Sequence, residues 1–242
     1  MMVSNRHSVR NTLAVTAAVG ACGLAAAALA GNPNPGVAPV NSSAYGHSYG
    51  GWSAEWWKWF LSIPTPDHPG IGGDCGEGQS GQVFFLAADF TGGGLSCTIP
   101  AGKAILLAMV NVECSTVEAP PFFGADEEEL RACAKCFADQ IVVSSLEASL
   151  DGEALGDLGS YRAASPLFSF DYPADNIFGI PGGPATGDSV SDGYWLLLNP
   201  LPAGNHTLTF GGAFDFPEGE CGLDAGTAFG FALVYELTVG GN

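Results

Sequence analysis

Residues 51–64 constrain the fold more than any other segment, because they contain four of the five tryptophans of the chain. Ser53 is a suitable N-cap, and Pro64 ends the segment. Between them, large apolar side chains recur at helical spacing: Trp52, Trp56, Trp59, Phe60 and Ile63. Each indole buries on the order of 200 Å² and has an N–H that needs a partner. We therefore predict a short helix whose aromatic face lies against a sheet.

Trp57 lies off this predicted face and suggests a binding role. One hypothesis is that Trp57 and Glu55 line a groove in which a flat ligand, such as a sugar ring, stacks. The alternative is that the helix is a core element, as aromatic stripes at helical spacing usually are. In that case Glu55 simply forms an ion pair with Lys58, three residues further on.

The loops on either side of the helix contain His47 and His68. If these loops meet, the two histidines could join Glu55 and Asp67 in a metal or acid–base cluster. The alternative is that they are solvated loop residues, since their spacing matches no known ligand set. The predicted ligand-binding residues are thus Glu55, Trp57, His47 and His68, with no metal site and no cofactor assigned.

The first thirty residues have the pattern of a signal peptide. A basic start precedes an apolar stretch, and Ala28-Leu29-Ala30 is a small-x-small cleavage site. Lipidation at Cys22 and an uncleaved membrane anchor are the alternatives. We predict a signal peptide over 1–30, an extended arm over 31–50 and one disulfide-bonded β-sandwich domain over 51–242. The mature protein would be secreted or extracytoplasmic, with no membrane attachment.

The charge balance excludes one class of partner. The chain has 7 Lys and Arg against 25 Asp and Glu, and cleavage after residue 30 would remove Arg6 and Arg10, leaving 5 − 25 = −20. Binding to nucleic acid requires a basic face, so it is not expected. The acidity instead suits solubility or a saline habitat, because no acidic run has the spacing of a calcium loop.

Six of the seven cysteines follow the predicted cleavage site, and an even number in an exported protein indicates three disulfides. We expect Cys75 to pair with Cys97 around one hairpin. The pairing of the other four stays open: Cys114, Cys133, Cys136 and Cys221. Cys133 and Cys136 have a Cys-x-x-Cys spacing that also occurs in redox and zinc motifs, but an oxidising compartment favours disulfides.

The remaining chain is a series of strands separated by turn signals. About eight strands predict a mainly β fold, a two-sheet sandwich of jelly-roll or immunoglobulin-like topology. An acidic helix capped by Asp126 interrupts the series. Asp151-Gly152 is a hairpin signal, 171–191 reads as a long loop, and 194–198 as a strand.

No catalytic motif stands out. Ser80 lacks the surroundings of a nucleophile elbow. The two carboxylates of a glycoside hydrolase need to be close only in space, so the sequence neither identifies nor excludes such a pair.

Several segments together resemble a group of uncharacterised exported bacterial proteins with signal peptides. The similarity runs from about Tyr45 to Val239 and is carried by the Gly-Trp-Ser-x-x-Trp-Trp segment at 51–57, by Cys75 with 78–81, by 97–104, by 192–195 and by 201–212. It implies a bacterial, exported, single-domain protein. It supplies no activity and no site residue.

Three functional hypotheses follow. The first is a non-catalytic binding module for an extracellular glycan or surface polymer, based on the aromatic helix and the long Gly- and Pro-rich loops. The second is a structural or surface-assembly protein, based on the disulfides and the acidity. The third is an extracellular hydrolase using carboxylates or His47 and His68. The sequence does not indicate an oligomeric state.

Overall fold

A computed structural model describes residues 34, 36–91 and 95–240. The predicted signal peptide lies outside these residues. Nine strands form two sheets in the described part. The first sheet has the order β1 (Val83–Leu86), β3 (Ala104–Ser115), β7 (Ala185–Leu198), β6 (Phe168–Tyr172). The second has the order β2 (Leu95–Ile99), β9 (Thr227–Val239), β8 (Gly204–Phe216), β4 (Glu147–Leu150), β5 (Glu153–Ala154).

The predicted mainly β, two-sheet sandwich is confirmed. Most neighbouring strands are antiparallel, but each sheet also has one parallel pair, β1 with β3 and β2 with β9. The jelly-roll and immunoglobulin-like predictions assumed antiparallel pairing, so these pairs are a departure from them. The pairing of β1 with β3 ends at Leu107, and beyond that residue no described strand lies beside this edge of β3, which makes only an isolated bridge from Ser115 to Phe123.

The tryptophan-rich helix α1 (Tyr49–Ser62) is present, and it begins five residues earlier than a helix capped by Ser53 would. Its N-cap is Ser48, whose hydroxyl accepts a hydrogen bond from the Gly51 N–H at 3.2 Å. The prediction of Ser53 as the cap was wrong: this residue is buried inside the helix, and its hydroxyl donates to the Gly50 carbonyl. Helix α1 packs against β6 and β7 of the first sheet.

The inserted acidic helix α2 (Glu127–Asp139) is confirmed, with Asp126 as its cap. The Asp126 side chain accepts from the Glu129 N–H, and the Glu129 carboxylate accepts from the Ala125 N–H at 2.8 Å. This reciprocal arrangement satisfies two backbone donors at the start of the helix. The buried side of α2 packs on β3 and β7 through four residues: Leu130, Ala134, Phe137 and Ala138.

Three disulfides link the described chain: Cys75–Cys97, Cys114–Cys133 and Cys136–Cys221. The predicted pair Cys75–Cys97 is confirmed, but it does not bracket a hairpin, because β1 and β2 belong to different sheets. The two cysteines of α2 are three residues apart and therefore lie on one side of the helix. Cys133 is bonded to Cys114 in β3 of the first sheet, and Cys136 is bonded to Cys221 in the β8–β9 connection of the second sheet. Helix α2 is thus covalently attached to both sheets.

Strand β7 is longer than the sequence suggested, and the predicted long loop is correspondingly shorter. Tyr172 ends β6 and Ala185 begins β7, so the connection is 173–184 rather than 171–191. The polar residues 186–191 are strand residues because β7 lies between two neighbours and pairs with both. The hairpin at Asp151-Gly152 joins β4 and β5, with positive φ at both residues as a type I′ turn requires.

Candidate ligand-binding cavity

A cavity of about 670 Å³ opens where α1, α2, β3, β8 and the start of β9 come together. Its volume lies within the range of about 300–1,000 Å³ that is typical of small-molecule sites. The wall is mainly apolar and contains six phenylalanines: Phe90, Phe122, Phe137, Phe178, Phe214 and Phe229. Three of these are exposed at the surface, Phe90 by 64%, Phe229 by 53% and Phe178 by 41%.

The free edge of β3 forms one wall of this cavity. Asn111, Val112 and Glu113 all line it, and they lie beyond Leu107, where β1 stops covering the strand. Successive residues of a strand point to opposite faces of the sheet. The cavity therefore extends around the strand edge and contacts side chains from both faces. The connection 116–124 folds back beside the end of β3, through a hydrogen bond from the Ser115 N–H to the Phe122 carbonyl at 3.0 Å.

Unpaired polar atoms are concentrated in this wall. Within the described residues, five buried side-chain polar atoms have no hydrogen-bond partner. Three of the five belong to residues that line the cavity: Trp57 Nε1, Asn111 Oδ1 and Glu113 Oε1. Each unsatisfied buried group costs about 1–3 kcal/mol. The other three tryptophans of α1 show the usual arrangement, since each indole N–H donates to a backbone carbonyl.

Glu113 and Glu118 form a carboxyl pair in the same wall. Glu113 is only 3% exposed. Burial raises its pKa well above the usual value, and the nearby Glu118 carboxyl raises it further. Burial also raises the pKa of Glu118. The two carboxyls are close enough to share a hydrogen bond when one is protonated.

The hydrogen bonds to this carboxyl pair come from hydroxyl groups rather than from cations. The Ser189 hydroxyl donates to Glu113 Oε2, and the Ser115 hydroxyl donates to Glu118 Oε2, the latter at 2.9 Å. Among the described residues, those that line the cavity include no Lys, Arg or His. An ionised carboxylate at Glu113 would therefore have no counter-ion from the wall, which explains why the neutral form is favoured.

The structure separates the two residues of the predicted groove on α1. Trp57 lines the cavity and is only 6% exposed, so the prediction that it lies off the buried face was wrong. Glu55 does not line the cavity and forms an ion pair with Lys58 at 2.9 Å. Residues two positions apart do not face each other on a helix. Trp57 and Glu55 therefore do not share one groove.

The two histidines also lie apart from the cavity wall. His47 is exposed, and its ring packs edge-on against Trp52. His68 is fully buried, and both of its ring nitrogens are used: Nδ1 accepts from the Gly70 N–H, and Nε2 lies 2.8 Å from the Phe60 carbonyl. Burial lowers its pKa. His68 is thus neither the solvated loop residue nor the available ligand that the sequence suggested. Over 34, 36–91 and 95–240, no group of His, Cys, Asp and Glu side chains is arranged to hold a metal ion.

Asn111, Glu113 and Glu118 were not predicted as site residues. One sequence signal was available, because Glu113 follows directly on the apolar run that forms β3. A carboxylate in a strand predicted to be buried on both faces needs either a partner or a function. The contribution of Glu118 could not be found in this way, since it depends on how the connection after β3 folds back.

A smaller cavity of about 370 Å³ lies beside α2 and contains three cationic residues, Arg131, Lys135 and Arg162. Each is already paired with a carboxylate of the protein. Arg162 makes two hydrogen bonds to the Asp192 carboxylate, at 2.7 and 3.0 Å. These charges are used internally, so the larger cavity is the better candidate site.

No family model matches this chain, and no curated protein matches it. Two solved structures show a weak likeness. A cysteine protease inhibitor from Entamoeba histolytica is 11% identical with a TM-score of 0.23, over 65% of this chain and 95% of that one. Amebosin is 12% identical with a TM-score of 0.20, over 66% of this chain and 99% of that one. At such TM-scores neither likeness supports an argument about function. The resemblance to exported bacterial proteins stays a prediction.

The disulfides bear on where the protein matures. Three disulfides are typical of proteins that mature in an oxidising compartment. No helix in the described part of the chain is long and apolar enough to cross a membrane.

Proposed function

We propose that this is a secreted, non-catalytic binding protein that holds a small, largely apolar ligand in the cavity at the free edge of β3. The concentration of unpaired polar atoms in an otherwise apolar wall is the observation that carries the proposal. Sites for small molecules have this composition: a mainly hydrophobic surface with a few polar groups that orient the ligand. A ligand that supplies the missing partners would recover the free energy that these unpaired groups cost.

The cavity suits an apolar ligand better than the glycan that the aromatic helix first suggested. Trp57 is almost completely buried, whereas stacking of a sugar ring needs an accessible aromatic face. Sugars also require many hydrogen bonds, and the six phenylalanines of the wall offer none. A glycan or surface polymer as partner therefore remains a weaker prediction.

The other two hypotheses have less support. The exposed rings of Phe90, Phe178 and Phe229 would serve an assembly surface, but assembly does not account for the unpaired buried atoms in the residues that line the cavity. For hydrolysis of glycosides, two carboxyl groups must be at least about 5 Å apart. Glu113 and Glu118 are close enough to hydrogen bond with each other, which leaves no room for a sugar between them.

A fluorescence titration tests the proposal. The neutral apolar probe N-phenyl-1-naphthylamine is added to the oxidised mature protein, and decan-1-ol is then used to displace it. Ala119 lines the mouth of the cavity and is exposed, so Ala119→Trp should obstruct entry with little effect on folding. Ala132 is an exposed residue of α2 outside the wall, and Ala132→Trp is the matched control.

We expect saturable binding of the probe, displacement by decan-1-ol, and a loss of affinity of about tenfold or more in Ala119→Trp but not in Ala132→Trp. Bound ligand should also raise the melting temperature of the wild type, because it binds the folded state alone. Equal probe binding by both variants, or none by the wild type, would contradict a ligand site in this cavity.

A further inference from the structure

We propose that the carboxyl end of this cavity, formed by Glu113, Glu118 and Asn111, recognises the protonated amine of an apolar ligand. The inference rests on the proposed function and specifies its ligand class. The ligand would place an ammonium group against these side chains and an apolar chain against the phenylalanines.

The hydrogen-bonding groups at the carboxyl end of the cavity favour a ligand that donates hydrogen bonds. Asn111 Oδ1 has no partner among the described residues, Glu113 Oε1 has none when the carboxyl pair is ionised, and Glu118 contributes a second carboxyl. An ammonium group has three donors and no acceptor, so it complements these oxygens. A ligand carboxylate has no donor and would add a third acidic group to the site.

The charge of the site also favours a ligand with an ammonium group. Two carboxyls face one another with hydroxyl donors from Ser189 and Ser115, and the wall contributes no cation. A bound ammonium would replace the shared proton as the compensating positive charge. Because burial and mutual repulsion raise the pKa of Glu113 in the empty protein, the bound cation should lower it again.

Two further features assist a cationic ligand. The exposed aromatic rings of Phe90 and Phe178 line the cavity, and a cation within about 6 Å of a ring face gains additional attraction. The chain as a whole has a formal net charge of −18. Such a field raises the local concentration of cations and speeds their association at low ionic strength.

The test compares three ligands with one apolar chain and different head groups: decylamine, decan-1-ol and decanoate. Each is used to displace N-phenyl-1-naphthylamine at pH 7.5, where an alkyl ammonium is protonated because its pKa resembles the value of about 10.4 for Lys. The variants are Glu113→Gln and Glu118→Gln. Glu153→Gln, at an exposed position of β5, is the control for the general loss of one negative charge.

We expect the wild type and Glu153→Gln to bind decylamine about tenfold or more tightly than decan-1-ol, and decanoate most weakly. Glu113→Gln should remove this preference while its affinity for decan-1-ol stays within about threefold. The preference should also decrease in the wild type as the pH is lowered and the pair becomes protonated. In the part of the wall that the structure describes, Glu118 is the only titratable side chain besides Glu113.

The possible failures are distinguishable. If none of the three ligands displaces the probe, the proposed cavity function is wrong as well. If decan-1-ol binds as tightly as decylamine, the cavity binds apolar molecules but the amine inference is overturned. Retention of the amine preference in both folded Gln variants would overturn it equally. A melting curve for each variant establishes that it is folded, and Glu118→Gln provides the test if Glu113→Gln does not fold.

Discussion

At the scale of single residues, Glu113 combines two properties that rarely occur together: it is a buried carboxyl, and no cation compensates it. The chain has few cations to offer, since three of its Lys and Arg residues are committed to carboxylates beside α2. A carboxyl in this position affects stability as a function of pH. Its pKa is raised in the folded state, so the folded protein retains a proton that the unfolded chain releases near pH 4.3.

The contribution of Glu113 to the stability of the wild type should therefore be greatest below about pH 4.3. This contribution should be lost as the pH rises through the raised pKa. Each unit of pKa difference corresponds to about 1.4 kcal/mol. Glu113→Gln cannot ionise, so its free energy of unfolding should exceed that of the wild type by an amount that grows as the pH rises from about 4.3 through the raised pKa. Urea unfolding at several pH values measures this difference. Glu153→Gln should keep the wild-type dependence, and parallel curves for Glu113→Gln and wild type would contradict the expectation.

At the scale of elements, the pairing of β3 with β7 positions the polar end of the cavity. Gly193 of β7 lies directly opposite Asn111 in this pair. A Cβ atom added at Gly193 would come within 2.4 Å of Asn111 Cα, and the residue has a φ of +150°. Glycine is therefore required here by the close approach of the two backbones as well as by its own conformation.

We expect Gly193→Ala to lower the free energy of unfolding by about 1–3 kcal/mol or more, because the added methyl group forces the strands apart. It should also weaken probe binding, since Asn111 would move. Gly204→Ala is a matched control, because Gly204 has a similar φ of +144° but no atom within 4 Å of the added Cβ. Chemical denaturation of both variants separates the steric effect from the conformational one. Equal losses would show that the contact with Asn111 is unimportant.

At the scale of the whole molecule, the disulfides differ in how much of the chain they close. Cys136–Cys221 spans 85 residues and joins α2 to the second sheet, whereas Cys75–Cys97 spans 22. A crosslink restricts the unfolded chain more strongly when it closes a longer loop. The longer bond should therefore contribute more to stability even though α2 is also held by Cys114–Cys133.

The double variant Cys136→Ala/Cys221→Ala should lose about 1 kcal/mol more unfolding free energy than Cys75→Ala/Cys97→Ala. Cys97 is buried, so Cys97→Ala also removes packing contacts. This additional loss destabilises the shorter-loop variant and reduces the expected difference between the two variants. Urea unfolding of both oxidised variants gives the comparison. Equal losses, or a larger loss for the shorter loop, would show that loop closure is not the main contribution of these bonds.

Features that depend on neighbouring residues could be predicted from the sequence. The spacing of the tryptophans indicated α1, Asp126 and the following glutamates indicated the start of α2, and Asp151-Gly152 indicated the turn between β4 and β5. Each of these is stabilised largely by contacts within a few residues. The predicted capping residue of α1 was nevertheless wrong, because Ser48 and Ser53 are both able to cap a helix and the packing of α1 selects between them.

The sequence by itself determined the mainly β class, the two helices and the number of cysteines available for disulfides. Tertiary structure alone decided which partners Cys133 and Cys136 take, how far β7 extends, and that Trp57 rather than Glu55 lines the cavity. It also brought Glu113 and Glu118 together, through a connection that folds back beside β3. These outcomes depend on contacts between residues far apart in the chain, whose formation reflects the burial of the whole core rather than any local pattern.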